Sequence, residues 1–264
     1  MPAIEVEHLV KRYRGAERNA VDGISFAVAE GEFFCLLGPN GAGKTTTISI
    51  LTTTLEQTSG RVKIAGHDVA ENQSGVRRQI GVVFQQPALD QNLTAEENLR
   101  LHAMLYGLYR WRPSYRTMPP SYRSQVQEVA GVLGISDLLR RPVHKLSGGQ
   151  RRRLEIVRAL LHEPRVLFLD EPTAGLDPQS RRSLWAYLAQ TRARLGTTIL
   201  LTTHYLEEAE TADSCCVLVN GAIIDRGTPA ELKQRHGAER LEDAYLALLD
   251  HGETRGPDET CDPD

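Results

Sequence analysis

The stretch FFCLLGPNGAGKT, residues 33–45, combines an apolar run with a glycine-rich loop. The five apolar residues are typical of a buried strand, and a helical pattern with Ile48, Ile50 and Leu51 follows the loop. Between them, the spacing G-x-x-x-x-G-K-T predicts a loop whose backbone N–H groups surround a phosphate at the positive end of a helix. A plain glycine turn before a core helix is the alternative, and the strand–loop–helix context favours phosphate binding.

The loop supplies a charge and a hydroxyl as well as backbone donors. Lys44 is placed to contact the β- and γ-phosphates of a nucleotide, and the Thr45 hydroxyl is a ligand type for Mg²⁺. The candidate nucleotide-binding residues of this loop are Gly38, Pro39, Asn40, Gly41, Ala42, Gly43, Lys44, Thr45 and Thr46.

A second buried strand, Val166 to Leu169, ends in the pair Asp170-Glu171. Ligands of α/β sheets bind at the carboxyl ends of strands, and adjacent side chains on a strand point to opposite sides. We therefore expect Asp170 to hold Mg²⁺ and Glu171 to polarise an attacking water. A solvated strand end is the alternative for such a pair when no phosphate loop accompanies it.

Strands alternate with helices outside these motifs, which predicts a mostly parallel sheet covered on both faces. The first part of the chain alternates like β structure. Residues from about 93 to about 145 are mostly helical and begin with the capping-box spacing of Thr94 and Glu97. Asn220-Gly221 predicts a hairpin, and residues 251–264 have the composition of a disordered acidic tail.

Composition limits the possible functions. The chain has 264 residues and a net charge of −3, so its global charge does not indicate a nucleic-acid partner. It contains neither a run of about 18 apolar residues nor a secretory signal, and we expect it to stay in the cytosol. The four cysteines, Cys35, Cys215, Cys216 and Cys261, lack metal or disulfide spacing and are expected to be buried or idle thiols.

The motif Leu146-Ser147-Gly148-Gly149-Gln150 resembles the signature sequence of ATP-binding cassette proteins. A Ser-Gly-Gly turn opening a helix can bind an anion, although serine in this place is also an ordinary N-cap. The resemblance extends over nearly the whole chain. It implies an α/β fold with a P-loop NTPase core, an N-terminal antiparallel β subdomain and a helical insertion, all within one cassette of residues 1–250.

Further site residues follow from the resemblance. Tyr13 resembles the aromatic residue that stacks on adenine, with a core tyrosine as the alternative. Gln85 resembles the glutamine that reaches Mg²⁺ and the attacking water, although the neighbouring Gln86 leaves the register open. Asp177 resembles the acid that contacts the facing subunit, and His204 resembles the histidine that contacts the γ-phosphate.

The mechanism implied by the resemblance is an ATP sandwich between two cassettes. Each site would take Lys44, Asp170 and Glu171 from one chain, and Ser147 and Gly149 from the other. Four residues would be catalytic: Glu171, His204, Gln85 and Lys44. Three would bind Mg²⁺: Thr45, Gln85 and Asp170. The signature residues 147–150, Tyr13 and Asp177 would complete the nucleotide site.

The resemblance also implies a partner and a location. A membrane permease on a separate chain would hold the cassette at the cytoplasmic face of the membrane, and a second cassette, the same or different, would complete the dimer. TTHYLEEAE (202–210) and LEDAYLALL (241–249) resemble cassettes of exporters for drugs, lipids or polysaccharides. The alternatives are a soluble ATPase of translation or DNA repair, which usually has two cassettes or a long insertion, and a regulatory binder, which Glu171 and His204 disfavour.

Two features concern the partner directly. Leu89, Leu93 and Tyr106 are candidates to line the groove that docks the permease, with core packing as an equal alternative. Residues 110–123 hold four arginines, three aromatic residues and no acids. This segment is either a solvated loop extended by prolines or a contact with the permease or with lipid headgroups.

Overall fold

The computed structural model describes residues 1–85 and 88–254, the last five of these by their backbone alone. It contains two sheets and a group of helices beside them. The strands are β1 (Pro2–Lys11), β2 (Val21–Ala29), β3 (Phe33–Leu37), β4 (Ser59–Ile64), β5 (His67–Asp68), β6 (Ile80–Val83), β7 (Val166–Asp170), β8 (Thr198–Thr203), β9 (Ser214–Val219) and β10 (Ala222–Gly227). The α-helices are α1 (Lys44–Leu51), α2 (Gln73–Gln79), α3 (Ala95–Leu105), α4 (Pro120–Val132), α5 (Gly148–Leu160), α6 (Pro178–Leu195), α7 (Leu206–Ala209), α8 (Pro229–Arg235) and α9 (Leu241–Thr254).

The larger sheet has the strand order β10-β9-β3-β8-β7-β6, and all neighbours except β10 and β9 pair in parallel. Both faces of β3 are buried: Phe33, Cys35 and Leu37 enter one apolar cluster, and Phe34 and Leu36 enter the other. This explains the unbroken apolar run, because a strand covered on both faces has no polar side. The parallel sheet predicted from the sequence is confirmed.

The smaller sheet is antiparallel, with the order β2-β1-β4-β5. Its inward side chains share a cluster with Ile48 and Leu51 of α1 and with Phe34 and Phe168 of the larger sheet. The rings of Phe26 and Phe34 stack with their centroids 5.2 Å apart. The predicted N-terminal antiparallel part is therefore present, and it packs over the helix that follows the phosphate loop.

The predicted helical insertion contains α3, α4 and three short 3₁₀ turns, at Tyr115–Thr117, Ser136–Leu138 and Val143–Lys145. Thr94 and Glu97 form the expected capping box. The residues directly after α4 form only the second 3₁₀ turn, because Gly134 ends α4 in a left-handed conformation (φ 64°) just before it.

The C-terminal helix α9 continues to Thr254, four residues into the segment whose composition indicates a disordered tail. Residues 255–264 lie outside the described part of the chain, and so does Cys261. The other three cysteines are free and buried, as expected. Burial raises the pKa of Cys216 to about 12, which keeps its thiol protonated. Over the residues described, none of the helices has the length and apolar character needed to cross a membrane.

Candidate functional site

The phosphate loop joins β3 to α1. Gly38 and Gly43 both approach other backbone closely, since a Cβ at Gly38 would lie 2.2 Å from the Leu218 carbonyl oxygen and one at Gly43 would lie 2.4 Å from that of Ala20. Lys44 is buried, and its Nζ donates to the carbonyl oxygens of Gly38 (2.6 Å) and Pro39 (2.9 Å). The ammonium group thus lies over the loop that the sequence assigns to phosphate.

The charge of Lys44 depends on two opposing effects. Burial lowers its pKa, and the carboxylates of Glu171 and Asp170 oppose that shift. The loop lysine is therefore electrostatically linked to the carboxylate pair at the end of β7. A phosphate that binds here meets a cation with little competing solvent, which strengthens the attraction.

Asp170 and Thr45 meet at the end of the parallel sheet. The Thr45 hydroxyl donates to Asp170 Oδ2 at 3.2 Å, and the Thr202 hydroxyl of β8 donates to Asp170 Oδ1. Asp170 is 1% exposed, so these hydroxyls offset its burial. A hydroxyl and a carboxylate so close together fit the all-oxygen coordination that Mg²⁺ prefers.

Glu171 follows β7 directly and adopts a left-handed backbone conformation with a φ of 48°. Its carboxylate joins two other candidates: His204 Nδ1 lies 3.0 Å from Oε1, and Gln85 Nε2 donates to Oε2 at 3.3 Å. The structure thus brings together three of the four side chains that the sequence analysis names as candidate catalytic residues. The contact with Glu171 favours Gln85 over Gln86 as the glutamine of the site. Gln86 itself lies outside the described residues.

Tyr13 lies beside the phosphate loop on the surface. Its hydroxyl is 3.3 Å from Thr46 Oγ1, and Lys11 Nζ is 5.5 Å from the centre of its ring. The side chain is 45% exposed, which excludes the alternative of a core tyrosine. An open aromatic face next to a phosphate loop can stack on a nucleotide base.

The signature motif is separate from this cluster. Ser147 caps α5 in a capping box with Gln150, with distances of 3.3 and 2.9 Å. Asp177 caps α6, and the hydroxyl and backbone N–H of Ser180 hold the pKa of Asp177 below its usual value. Among the described residues, no hydrogen bond joins Ser147 or Asp177 to the phosphate loop. Ser147 is therefore the ordinary N-cap of its helix and also an exposed group at that helix's positive end.

The sequence interpretation missed Arg152, one turn into α5. This side chain is 5% exposed. Its Nη2 donates to the carbonyl oxygens of Asp170 (2.6 Å) and Glu171 (2.7 Å), and its Nε donates to that of Pro172 (3.0 Å). Its Nη1 donates to the Phe84 carbonyl oxygen, immediately before Gln85. Arg152 thereby links the signature helix to the two segments that carry the candidate catalytic residues Gln85 and Glu171.

Glu155 and Arg158 extend this network along the same helix. Glu155 accepts the Ala88 N–H at 2.6 Å and lies 3.4 Å from Arg152 and 3.9 Å from Arg158. The Arg158 guanidinium donates to the Ala88 carbonyl oxygen. We name Arg152, Glu155 and Arg158 the α5 ion network. Its sole sequence signal was opposite charges spaced three apart, which usually indicates a solvated helix face.

The comparisons with known proteins agree with this geometry. The family model described as ABC transporter matches residues 21–174. The daunorubicin resistance ATP-binding protein DrrA3 of Streptomyces coeruleorubidus is 41% identical over 241 residues, which is 91% of this chain and 72% of that protein. The solved ATP-binding subunit of an ABC transporter has a TM-score of 0.84 at 32% identity and covers 94% of this chain and 99% of its own. A dimeric, post-hydrolysis ATP-binding cassette bound to ADP and phosphate has a TM-score of 0.77 at 27% identity and covers 85% and 98%.

Proposed function

This chain belongs to the ABC transporter family as an ATP-binding, ATP-hydrolysing subunit, and from this we propose that it energises an exporter whose membrane-spanning part is a separate permease. The observation that carries the proposal is the Glu171 carboxylate held by His204 and Gln85, next to the Thr45–Asp170 pair. The drug-resistance relative supports the exporting direction.

We assign the side chains of the site the following tasks in ATP hydrolysis. The loop residues 38–46 bind the phosphates through backbone N–H groups, and Lys44 adds a positive charge. Glu171 accepts a proton from the attacking water, and His204 and Gln85 orient that water and the γ-phosphate. Thr45, Asp170 and Gln85 would hold Mg²⁺. A bound Mg²⁺ would neutralise phosphate charge during transfer.

In the proposed dimer, a second cassette contributes its signature residues to each nucleotide site. Ser147 and Gly149 would form an anion site at the start of α5, and among the described residues Ser147 makes its capping hydrogen bonds with Gln150 and none with its own chain's phosphate loop. A head-to-tail dimer would bring Ser147–Gln150 of one chain against ATP on the other, with Asp177 at the contact. We propose a homodimer, consistent with the dimeric cassette found among the structural neighbours.

The permease would dock beside the Gln85 segment on the cytoplasmic side of the membrane. Of the three candidate groove residues, Leu89 is 7% exposed and belongs to the core. Tyr106 packs against His102 and His162 with ring centroids 4.2 and 4.3 Å apart. Core packing therefore explains the apolar side chain of Leu89 and most of the Tyr106 ring. Leu93 is half-buried and is the residue of the three that we propose lines the docking groove.

The Glu171→Gln variant tests the proposed catalysis. Gln removes the proton acceptor and keeps the shape, so turnover should fall at least about a hundredfold. The ATP-bound dimer should then accumulate and elute ahead of the monomer in size-exclusion chromatography with ATP and Mg²⁺. Glu163→Gln is a matched control, because Glu163 is an exposed glutamate with the same φ of 48°. A Glu171→Gln protein that stayed monomeric with ATP would contradict the sandwich.

A pull-down from detergent-solubilised membranes tests the partner. Tagged wild-type chain should retain an integral membrane protein with about six apolar spans of some 20 residues each. Recovery of ribosomal or DNA-repair components in its place would favour the alternative of a soluble mechanical ATPase.

A further inference from the structure

An unusual share of the exposed apolar side chains lies in one short part of the helical insertion. Leu101 and Leu105 are one turn apart on α3, and Leu108 and Trp111 follow within six residues. Leu105 is 76% exposed and Trp111 is 65% exposed. Exposed apolar side chains concentrated within eleven residues in this way point to an interaction surface, since scattered single residues are normal but clusters are not.

The same part of the chain is strongly basic. Residues 98–127 contain five arginines and no acidic residue, although the whole chain has a net charge of −3. Arg110, Arg112 and Arg116 are exposed. We name these three arginines together with Leu101, Leu105, Leu108 and Trp111 the basic apolar patch.

The basic apolar patch is held in a fixed conformation. Arg100 on α3 donates to the Arg112 carbonyl oxygen at 2.6 Å. The rings of Tyr109 and Tyr115 pack edge-on against the buried Tyr122, with centroids 5.4 and 6.0 Å apart. Tyrosine packing and a 3₁₀ turn order this segment in addition to its prolines, while Arg110–Pro113 and Arg116 stay exposed to solvent. The charges and apolar side chains are presented from a folded platform.

We propose that the basic apolar patch binds the anionic lipid headgroups of the membrane. Arginines attract acidic headgroups, Trp prefers the membrane–water interface, and leucines insert among the acyl chains. A permease fits this surface less well, because cytoplasmic loops of membrane proteins carry excess Lys and Arg and would repel it. This inference rests on the proposed location at the cytoplasmic face, and it adds a direct lipid contact to the docking by the permease.

Vesicle sedimentation with the purified full chain tests this binding without any permease. Wild type should sediment with vesicles of phosphatidylcholine plus phosphatidylglycerol, and not with phosphatidylcholine alone. Added salt should weaken the binding, because salt screens exposed charges. Absence of binding to the anionic vesicles at low salt would overturn the proposal.

Two charge-reversal variants locate the surface. The variant R110E/R112E/R116E should bind anionic vesicles at least roughly a hundredfold more weakly, since each basic residue near such a surface contributes about fivefold. The variant R78E/R182E/R226E changes the net charge equally at three exposed arginines elsewhere and should bind like wild type. Equal weakening of both variants would show a mere net-charge effect and would reject the patch.

A third variant separates insertion from attraction. L105A/W111A keeps every charge, and its binding should fall at least about tenfold because buried apolar area drives insertion. ATP hydrolysis by the purified chain should be unchanged in all three variants, so loss of hydrolysis tests the proposed function and not this inference. If the patch variants kept full lipid binding and lost only co-purification with the permease, the partner would be the protein and the lipid proposal would be wrong.

Discussion

The backbone of Glu171 shows how a single residue directs the candidate chemistry. A left-handed φ costs a non-glycine residue roughly 1–2 kcal/mol. Here its N–H donates to the Thr202 carbonyl oxygen at 3.0 Å, and its own carbonyl oxygen accepts from Arg152 at 2.7 Å. These contacts hold the turn that separates the Glu171 side chain from that of Asp170. The sequence predicted this divergence from strand alternation, but the cause is a turn just after the strand.

Tyr13 allows a sharp test at the same scale. Replacing Tyr13 by Ala removes the stacking face and should raise the KM for ATP roughly tenfold to a hundredfold, since stacking contributes about 1–3 kcal/mol per base. The kcat at saturating ATP should hold. Tyr13→Phe loses only the hydroxyl contact with Thr46 and should behave like wild type in steady-state ATPase assays. A Phe variant as weak as the Ala variant would show that the hydroxyl, and not the ring, binds the nucleotide.

At the scale of elements, helix α5 connects the signature motif with the candidate catalytic carboxylates. Its N-cap, Ser147, faces solvent, and one turn into the helix Arg152 donates to four carbonyl oxygens of two other segments. Burial lowers the pKa of Arg152, opposed chiefly by Glu155. A shift of this helix when the partner's ATP binds at Ser147 would therefore move Gln85 and Glu171 with it.

Arg152→Gln tests this coupling through both stability and turnover. The variant leaves carbonyl oxygens and Glu155 without their main partner, and breaking a buried ion pair costs about 3–5 kcal/mol. We therefore expect the free energy of unfolding measured in urea to fall by that amount. We also expect a lower kcat and a nearly unchanged KM for ATP. Arg151→Gln, one residue away on a more exposed face, should cost less than about 1 kcal/mol. Similar losses in the two variants would show that Arg152 acts only as one more helix charge.

The contact between α3 and the end of α5 contains a half-buried histidine pair, with His102 Nε2 3.4 Å from His162 Nδ1. Burial and the neighbouring histidine lower the pKa of His102 to about 3, and burial lowers that of His162. Each histidine therefore takes up a proton less readily in the folded chain than in the unfolded chain, where its ordinary pKa is about 6.5, so the unfolded chain binds more protons below that pH. The free energy of unfolding is therefore highest, as far as these histidines affect it, above pH 6.5. It falls progressively at lower pH, and for His102 this loss continues toward pH 3.

Thermal unfolding across pH should reveal this pair. The Tm of wild type should fall further between pH 7 and pH 5 than the Tm of His102→Gln. This variant keeps a polar side chain but cannot take up a proton in this range. His67→Gln, a half-buried histidine of the antiparallel sheet, should follow the wild-type curve. A His102→Gln curve parallel to that of wild type would exclude the pair as a source of acid sensitivity.

At the scale of the whole molecule, the sequence predicted those elements that are determined by residues close together in the chain. The apolar runs of β3 and β7, the Thr94 capping box and the Asn220-Gly221 hairpin each follow from neighbouring residues. The α5 ion network could not be predicted, because Arg152 in sequence resembles a solvated arginine and only the fold surrounds it with carbonyl groups. The tyrosine packing of residues 109–122 was missed for the same reason, since it joins residues that become neighbours through the turn.

The proposed dimer makes a prediction that no single chain can satisfy. Each site would combine Lys44 of one chain with Ser147 of the other, so Lys44→Ala and Ser147→Arg should each be inactive alone. A 1:1 mixture forms mixed dimers in half of the cases, and in each of these one site has both intact parts while the other has neither. Activity should therefore recover to about a quarter of wild type if the two sites act independently.

Mixing Lys44→Ala with Glu171→Gln provides the control, because both changes fall on the same side of the site and no intact site can form. Recovery in neither mixture would place both halves of the site on one chain or require two intact sites for turnover. Recovery in both mixtures would show that Lys44 and Glu171 of one site come from different chains, which would contradict the proposed arrangement.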